Sequence, residues 1–496
     1  MTVTLWATIA ATAATTNAPD AADSHTGAAA KAITAGRPYT GAHRYIYRLT
    51  LRDKAGTTGR TDRPAAFLSQ RAIERRRRQN IGIDSTDLPV SRTYLRQISR
   101  TKGVAIAGTS RWQNTVLVAM ADSTAAALLR DMPCVTGCRM VWQAPDSVRP
   151  VARYDVTEGI NGCADSTATS RYGAAAAQID VCCGRSMHEG GWRGQGMTIA
   201  VLDGGFMNAD CIPLLDGIDI LGRRDFVYAA TDNDFHSTDH GTKVLSVMGT
   251  YRPDIYIGTA PGAAYWLLRC EDIATEQPVE EDYWTMAAEY ADSVGADIVS
   301  SSLGYTQFDH HRGDYTYRHQ DGRSAFISRS ASMMAGKGMV LVNSAGNSGM
   351  GTWKKIGFPA DAHDIITVGA VNEMLQNAPF SSVGPTQDGR IKPDVMAQGS
   401  PTSVISGRGT IVPSMGTSFS TPLVAGLVAC IWQAHKELTA HDIIALVRSL
   451  GDRHDCPDNI FGYGVMRTVA PADMHKAGGE ENGAASPCPI STKRGE

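Results

Sequence analysis

Three residues whose side chains can act together in hydrolysis occur in the order aspartate, histidine, serine. They are Asp203 in VLDGG (201–205), His240 in DHGT (239–242) and Ser418 in GTSFSTP (416–422). A serine hydroxyl becomes a strong nucleophile only when a base takes its proton, and neutral histidine has a suitable pKa for that task. A buried carboxylate holds the histidine in the correct tautomer and stabilises the imidazolium that forms. Together these residues predict a catalytic triad.

Each of these residues, taken alone, also fits an ordinary structural role. An aspartate after a strand often lies in a turn, a histidine can pack in a core, and a serine before a helix often caps it. The combination is more informative, because separations of 37 and 178 residues place the three in an order that one class of triad enzymes uses. The chain has no G-x-S-x-G motif, which argues against an α/β-hydrolase.

Two further segments could complete such a site. Asn347 ends VNSAGN (342–347), and its amide N–H and the nucleophile's own backbone N–H can donate to the oxyanion that acyl transfer forms. The segment SSSLG (300–304) ends another predicted strand, and an extended substrate can pair with such an edge through main-chain hydrogen bonds. The pattern therefore favours hydrolysis of an extended chain.

The elements that must position these residues follow from the hydrophobic pattern. Short apolar segments alternate with helical ones over 172–473, which indicates a mostly parallel sheet covered by helices on both faces. Asp203 and Asn347 follow such strands, whereas His240 and Ser418 precede apolar residues at helical spacing. We therefore expect an α/β domain over these residues.

Upstream lies a second pattern, which we call the N-terminal unit (43–148). Strand-like segments alternate there with helical ones, including a charged helix at 67–78, and predict a compact α+β domain. Residues 149–171 are polar and predict an exposed connection. We interpret residues 1–42 as a leader or signal peptide with a linker, and residues 474–496 as a polar tail.

Composition narrows the function classes. The 496 residues carry 47 Lys and Arg against 50 Asp and Glu, and the net charge of −3 gives no reason to expect nucleic acid or a membrane surface as a partner. No apolar stretch is long enough to predict a membrane span. The arginine run at 75–78 is interpreted as an exposed helix face. Residues 11–13 (ATA) resemble a signal-peptidase site, but no Lys or Arg precedes them, so a signal peptide and a plain leader both stay open.

The ten cysteines leave two interpretations open. Cys134 and Cys138 are close enough in sequence to pair, and no two cysteines have the CxxC spacing typical of zinc sites. The alternative is a set of scattered buried thiols. No cluster of carboxylates is dense enough in sequence to indicate a calcium site, so we expect neither a metal nor another cofactor.

Taken together, these motifs resemble the subtilisin-like serine proteases, the subtilase family. The resemblance runs from about Tyr172 to Tyr463 and includes GGWRGQG (190–196) and FSSVG (380–384). It implies an α/β fold of the subtilisin-like three-layer type with a mostly parallel central sheet. A structural calcium ion is common in this family, but the sequence does not indicate one.

The resemblance assigns roles to ten residues. The orienting carboxylate, general base, nucleophile and oxyanion donor are, in that order, Asp203, His240, Ser418 and Asn347. The substrate-binding residues flank the peptide backbone or line the specificity pocket, and they are Ser302, Leu303, Gly304, Ala345, Gly346 and Gly357. Because GFP (357–359) carries no charge, we expect a preference for bulky apolar side chains on the acyl side of the cut. Two departures from the family pattern, Gly204 and Lys243, remove no chemical role.

The N-terminal unit resembles the small α+β prodomain of such proteases, in particular those of Bacteroidetes-type bacteria, through FLSQRAIERR (67–76) and SRWQN (110–114). The resemblance implies a bacterial endopeptidase, secreted or in the cell envelope (extracellular or periplasmic), that acts on polypeptides and is made as a self-processing zymogen inhibited by its own prodomain. We expect cleavage between residues 145 and 171. We also expect residues 138–142 to lie in the substrate groove beside residues 302–304.

Two other functions remain as alternatives. A catalytically silent protease-like binding module is opposed by the presence of all three triad residues. An intracellular regulatory protein is opposed by the prodomain-like N-terminal unit. The sequence indicates no particular oligomeric state.

Overall fold

A computed structural model describes residues 37–148, 153–157, 170–228 and 237–468 of the chain. Residues 1–36 of the predicted leader and the whole predicted tail lie outside these described residues. In and beside the N-terminal unit the elements are, in chain order, β1 (Arg37–Pro38), β2 (Tyr45–Leu51), α1 (Gln70–Arg78), α2 (Arg92–Ser99), β3 (Val104–Ser110), β4 (Thr115–Met120), α3 (Ala125–Arg130), β5 (Val135–Gln143) and β6 (Ser147–Val148).

Four of these strands form an antiparallel sheet in the order β3-β4-β2-β5. β2 covers the predicted strand at 45–51. α1 begins later than the predicted helix, because the hydroxyl of Ser69 accepts a hydrogen bond from the backbone N–H of Ala72 at 3.2 Å and so caps the first turn. The α+β architecture expected for this unit is confirmed.

The second region contains the strands that position the candidate site. In chain order they are β7 (Thr198–Asp203), β8 (Asp219–Asp225), β9 (Tyr251–Arg252), β10 (Tyr256–Ile257), β11 (Ala264–Arg269), β12 (Ile298–Ser301), β13 (Val340–Ser344), β14 (Ile366–Asn372), β15 (Val395–Ser400), β16 (Thr402–Ile405) and β17 (Ile411–Ser414). Seven of them form one parallel sheet in the order β15-β14-β13-β12-β7-β11-β8. The predicted α/β architecture with a parallel central sheet is confirmed.

Helices cover this sheet and supply two of the candidate catalytic residues. They are α4 (Ala176–Val181), α5 (Gly184–Glu189), α6 (His240–Gly249), α7 (Val279–Val294), α8 (Phe326–Ser332), α9 (Thr417–Ala434) and α10 (Ala440–Ser449). α9 packs against α6 and against β12 to β15. Within the described residues it is also the one helix with the length and hydropathy of a membrane span, but 89% of that window is buried inside the protein. A core helix has the same composition, because it is apolar on all sides.

The N-terminal unit packs on α7 through paired charges. Arg75 and Arg76 of α1 are each 1% exposed, and both donate to the Asp292 carboxylate, at 2.5 and 2.8 Å. Arg111 donates to the same carboxylate at 2.7 Å. The interpretation of this arginine run as an exposed helix face is therefore wrong for Arg75 and Arg76, because both are buried in ion pairs with Asp292, more than 200 residues away, and Arg76 pairs with Asp87 as well. Arg77 does face solvent and is 75% exposed.

A second group of contacts lies toward the beginning of α7. Arg48 of β2 donates to Asp282 at 2.7 Å, and its guanidinium stacks 3.6 Å from the ring centroid of Phe326. Glu289, in the middle of the helix, accepts from the Ser110 hydroxyl and from the backbone N–H of Trp112. The whole length of α7 thus contacts the N-terminal unit.

The segment just before the N-terminal unit pairs with the end of that unit, and the chain then returns to the second region. β1 pairs antiparallel with β6. Further on, the amide of Asn208 donates to the Tyr154 carbonyl at 2.8 Å, and the Thr157 N–H donates to the Arg408 carbonyl at 2.9 Å. Part of the predicted connection is therefore held against the second region.

Seven of the cysteines in the described residues are free thiols, namely Cys134, Cys138, Cys182, Cys183, Cys211, Cys270 and Cys430. Cys134 is buried against the core of the N-terminal unit, and Cys138 lies in β5 with its sulfur 3.8 Å from the Ala126 carbonyl. The thiol interpretation therefore holds for these two residues. Cys163 and Cys488 lie outside the described residues.

Candidate active site

Asp203 and His240 form a hydrogen-bonded pair at the end of the central sheet. Asp203 is the last residue of β7, which lies between β11 and β12, and His240 is the first residue of α6. His240 Nδ1 lies 2.9 Å from each carboxylate oxygen of Asp203. Asp203 is fully buried, whereas the imidazole is 33% exposed. Because Nδ1 is engaged by the carboxylate, Nε2 is the nitrogen left for a reacting group.

The surroundings of this pair favour the charged imidazole. Burial disfavours the imidazolium, but the charge of Asp203 and its hydrogen bond outweigh burial and raise the pKa of His240. Asp203 also accepts a hydrogen bond from the Gly204 N–H at 2.8 Å, which fixes the carboxylate. The arrangement can stabilise a histidine that has just taken a proton.

Ser418 is the second residue of α9 and lines the same cleft as His240. Its hydroxyl donates to the Ser302 carbonyl at 3.5 Å, and within the described residues no hydrogen bond joins it to His240. A nucleophile and its base are often further apart before substrate binds. The two side chains nevertheless face one cavity, which is what attack on a shared substrate requires.

A proline inside α9 explains a second link between Ser302 and Ser418. Pro422 has no N–H, so the Ser418 carbonyl four residues earlier lacks its usual helical donor. The hydroxyl of Ser302 supplies that hydrogen bond at 2.9 Å. The nucleophile-bearing turn is thereby tied to the end of β12.

Asn347 follows β13 and lines the cleft with its amide group held in one orientation. Its side-chain oxygen accepts from both the backbone N–H and the hydroxyl of Thr417, each at 2.9 Å. Because the oxygen is occupied by these donors, the amide NH₂ is the end left for a ligand. An NH₂ group so oriented, beside the serine's backbone N–H, suits an oxyanion.

The six predicted substrate-binding residues all line this cleft, whose volume is about 240 Å³. Ser302, Leu303 and Gly304 follow directly on β12 and form one side. Ala345, Gly346 and Gly357 lie on the other strand edge, where the Gly357 N–H donates to the Ala345 carbonyl at 3.0 Å. The structure therefore places all ten predicted site residues at one cleft, nine of them in its lining and Asp203 directly behind His240.

The N-terminal unit does not fill this cleft in the described residues. β5 pairs with β2, and its last residue, Gln143, exchanges two hydrogen bonds of 2.8 Å with the side chain of Gln277. The expectation that residues 138–142 lie beside 302–304 is therefore wrong. The reason is that pairing with β2 and the two hydrogen bonds to Gln277 hold β5 away from the cleft, which none of residues 138–142 lines.

Five lining residues were not singled out in the sequence, namely Glu271, Thr306, Ser344, Ser348 and Thr417. Glu271 could have been noticed, because it follows β11, whose carboxyl end neighbours that of β7. It also lies close to Gly204, where a Cβ would be 2.6 Å from a Glu271 carboxylate oxygen and would require that side chain to shift. Lys243, the other departure, pairs with Asp239 at 3.0 Å.

Comparison with known proteins agrees with this geometry. The profile of the subtilase family (Peptidase S8) matches residues 194–464, and that of the Peptidase S8 propeptide domain of Bacteroidota matches residues 46–154. Subtilisin NAT of Bacillus subtilis subsp. natto is 30% identical over 258 residues, which cover 51% of this chain and 60% of that protein.

Other relatives extend the comparison. Serine protease AprX of Bacillus subtilis (strain 168) is 30% identical over 305 residues, covering 55% of this chain and 65% of that protein. The crystal structure of MycP1 from the ESX-1 type VII secretion system superposes with a TM-score of 0.50 at 21% identity, covering 66% of this chain and 90% of that one. At this identity the match to MycP1 concerns the fold alone.

Proposed function

The chain belongs to the subtilase family, and from that premise we propose that it is a serine endopeptidase, made as a zymogen, with Asp203, His240 and Ser418 as its catalytic triad. One observation carries the proposal: His240 lies 2.9 Å from the buried Asp203 carboxylate on one side and shares a cleft with Ser418 and Asn347 on the other. No residue of the triad is replaced, which disfavours a silent binding module.

The proposed reaction begins when Ser418 Oγ attacks the carbonyl carbon of the scissile peptide bond. His240 Nε2 takes the hydroxyl proton, and Asp203 stabilises the resulting imidazolium through Nδ1–H. The carbonyl oxygen becomes an oxyanion that accepts from the Asn347 NH₂ and the Ser418 backbone N–H. His240 then returns the proton to the leaving amine, which departs and leaves Ser418 acylated.

The second half repeats these steps with water as the nucleophile. His240 takes a proton from the water while its oxygen attacks the acyl carbon, and the same donors hold the second oxyanion. When that intermediate collapses, the proton passes to Ser418 Oγ and the carboxylic acid leaves. Because every proton moves through His240, the protein needs no other acid or base for the cycle.

The substrate is proposed to be a polypeptide bound in extended form. Backbone groups after β12 and in the 345–346 segment line the cleft, and such edges hold an extended chain by main-chain hydrogen bonds. Gly357 and its neighbours bring no charge to the pocket, which favours a bulky apolar side chain on the acyl side of the cut. Peptide-library profiling that found a strict preference for a charged side chain there would contradict this part.

The N-terminal unit is proposed to act as a prodomain that is removed by the enzyme itself between residues 145 and 171. The match to a Bacteroidota propeptide profile and the extensive contact with α7 support this role. The propeptide match and the likeness to subtilisins also favour export to the cell envelope or the medium. The segment that would direct export lies outside the described residues.

A fluorophosphonate probe, which reacts with activated serines, tests the function directly. The processed protein should be labelled at Ser418, as read by mass spectrometry, and Ser418→Ala protein should not be labelled. In a host lacking proteases the Ser418→Ala chain should accumulate uncut, whereas the parent is trimmed. Absence of labelling in processed parent would favour a binding module, and trimming of the variant at the parental rate would show that the cut is not its own.

A further inference from the structure

Three glutamates converge beside the cleft, although they are spread over ten residues of sequence. Glu271 follows β11, Glu276 lies in the connection to α7, and Glu280 is in the first turn of α7. One ligand oxygen of each lies within 4.8 Å of those of the other two. The sequence pattern missed this cluster, because only the irregular path of residues 270–279 brings the side chains together.

Two buried polar atoms at this place have no hydrogen-bond partner among the described residues. Glu280 is fully buried, and while one carboxylate oxygen accepts from the Gln277 N–H at 3.1 Å, the other accepts nothing. The hydroxyl of Tyr305, on a residue that is 1% exposed, is also unpartnered, and the charges of all three glutamates act on it. Buried oxygens without partners are costly, which points to a missing ligand.

The three carboxylates also lack close cationic partners in the part of the chain that the structure describes. Within the described residues none of the three glutamates has a Lys, Arg or His nitrogen within ion-pair distance. The acidic residues of α7 that face the N-terminal unit are different, because arginines form ion pairs with Asp282 and Asp292. The three glutamates therefore form an acidic cluster with no ion-pair partner in the described residues, although the charges of His240 and Arg269 act on Glu271 from further away.

We propose that Glu271, Glu276 and Glu280 bind one divalent cation, with Ca²⁺ as the ion that fits best. Oxygen ligands lie about 2.3–2.6 Å from Ca²⁺, so oxygens around one ion are up to about 5 Å apart, and the three glutamate oxygens lie within 4.8 Å of one another. An all-oxygen anionic set suits Ca²⁺, whereas Zn²⁺ prefers nitrogen and sulfur, and Mg²⁺ demands a more regular octahedron. Water can fill the remaining positions on the side open to the cleft.

The electrostatics of the cluster agree with this geometry. Burial and the neighbouring Asp203 raise the pKa of Glu271 to about 7, and burial and Glu271 raise the pKa of Glu276 to about 8. Burial and the other two glutamates raise the pKa of Glu280 as well. A bound divalent cation would relieve this repulsion.

The ion would join the cleft to the prodomain surface. Glu271 lines the cleft with His240, and Glu280 begins the helix on which the N-terminal unit packs. A bound ion would hold both ends of the 271–280 segment and so fix one wall of the cleft. We therefore expect calcium to raise the unfolding temperature of the protein and to protect this segment from proteolytic digestion.

A basic side chain of the substrate is the other ligand that could approach Glu271. It fits less well, because Glu280 is fully buried behind the cleft wall and only a small ion can touch all three carboxylates. This alternative is one of the outcomes that the test separates.

Calcium binding to the full-length Ser418→Ala protein, stripped with EDTA and dialysed, tests the proposal by isothermal titration calorimetry. Terbium luminescence, which a nearby tyrosine such as Tyr305 can sensitise, gives a second readout. We expect one site, weakened by about 10–100-fold or more in Glu280→Gln and in Glu271→Gln, since even residues behind a metal ligand contribute that much. Glu373→Gln, at an exposed glutamate in a turn, is the matched control and should bind as the parent does.

Each result of these binding experiments either supports or overturns the proposed calcium site. Absence of a binding heat in the parent, or equal affinity in all variants, would overturn the proposal. If Glu280→Gln fails to fold, the partly exposed Glu271→Gln decides. If calcium does not bind but Glu271→Gln in the active enzyme abolishes a preference for Lys or Arg peptides, the site belongs to substrate instead. Because binding is measured on an inactive variant, failure here leaves the proposed peptidase activity untouched, and the reverse also holds.

Discussion

The surface of α7 under the N-terminal unit and the cleft beside it are both polar, but they use polarity in opposite ways. Under the N-terminal unit, buried arginines meet buried carboxylates, as Arg75 and Arg76 meet Asp292. In the cleft, Asp203 and His240 form a carboxylate–imidazole pair, and backbone groups of serine and glycine residues form much of the surrounding surface. Side chains recognise one fixed partner, whereas backbone groups accept many sequences, so the first surface suits a dedicated prodomain and the second a range of polypeptides.

The separation of the two surfaces has a practical meaning. Because residues 138–142 lie in the sheet of the N-terminal unit and not in the cleft, binding of the unit and catalysis depend on different side chains. Variants on one surface should therefore leave the other unchanged. Four substitutions test this, in order of their expected effect on turnover.

The largest loss is expected for Ser418→Ala, which removes the nucleophile. Turnover of casein, measured after immobilised parental enzyme has trimmed the variant, should fall by about 10⁶-fold, since only binding and oxyanion stabilisation remain. Ser420→Ala is the control, because Ser420 donates to the Thr417 carbonyl at 3.0 Å and does not line the cleft. A Ser418→Ala turnover within about tenfold of the parent would contradict the assignment.

Asp203→Asn should lower turnover by about 10⁴-fold, because the amide favours the wrong tautomer of His240. It should also move the pH profile. His240 must be neutral to act as a base, so kcat/KM rises as pH rises through its pKa, which Asp203 holds above the ordinary value. Without that charge the acid limb of the profile should shift to lower pH. An unshifted limb would show that another group titrates there.

Asn347→Leu should reduce kcat by about 10²–10³-fold with little change in KM, because the oxyanion forms only along the reaction path. Ser348→Ala is the matched control in the same wall of the cleft. If KM rose while kcat stayed constant, Asn347 would serve to bind substrate and the proposed oxyanion role would be wrong.

The smallest effect on turnover is expected for Asp292→Asn, which acts on the other surface. In uncut Ser418→Ala protein, the free energy of unfolding in urea should fall by about 3–5 kcal/mol, as when one partner of a buried ion pair is removed. Glu74→Gln is the control, since Glu74 pairs with Arg77 in solvent. Equal midpoints for the two variants would contradict the importance of the buried pairs.

The same variant checks a pH dependence and the independence of the two surfaces. Burial opposes ionisation of Asp292, but Arg75 and Arg76 outweigh it and lower its pKa. Its contribution to stability is therefore full above the unfolded pKa of about 3.9 and is lost only as pH falls through the lower folded value. Processed Asp292→Asn enzyme should turn over substrate as the parent does, and a loss comparable to that of Asn347→Leu would show that the surfaces are coupled.

Much of the cleft was predictable, because regular elements position it. Asp203 ends one parallel strand and Ser302 and Asn347 follow two others, and the carboxyl ends of such strands meet at one edge of the sheet. His240 and Ser418 begin helices whose apolar spacing is visible in the sequence. Local periodicity and motif order were sufficient here.

Contacts between distant segments were not predictable in this way. The burial of Arg75 and Arg76 depends on Asp292, and nothing in the local run of arginines reveals that carboxylate. The cluster of Glu271, Glu276 and Glu280 depends on an irregular connection with no period. The position of β5 was mistaken for a related reason, since its contacts with β2 and with Gln277 join segments that are distant in sequence. Contacts between segments that are distant in sequence can be identified only from the tertiary structure.

The opposite charges that meet at α7 affect how the N-terminal unit separates from the rest of the protein once the connection is cleaved. Residues 43–148 carry 18 Lys and Arg against 8 Asp and Glu, a net charge of +10 in a chain whose net charge is −3, so the rest carries −13. A cut in the connection would divide a nearly neutral molecule into a polycation and a polyanion. Their attraction reaches about 10 Å at 0.1 M salt but only about 3 Å at 1 M. Ionic strength would therefore govern how fast the two pieces part, and a cation exchanger would retain one while the other flows through.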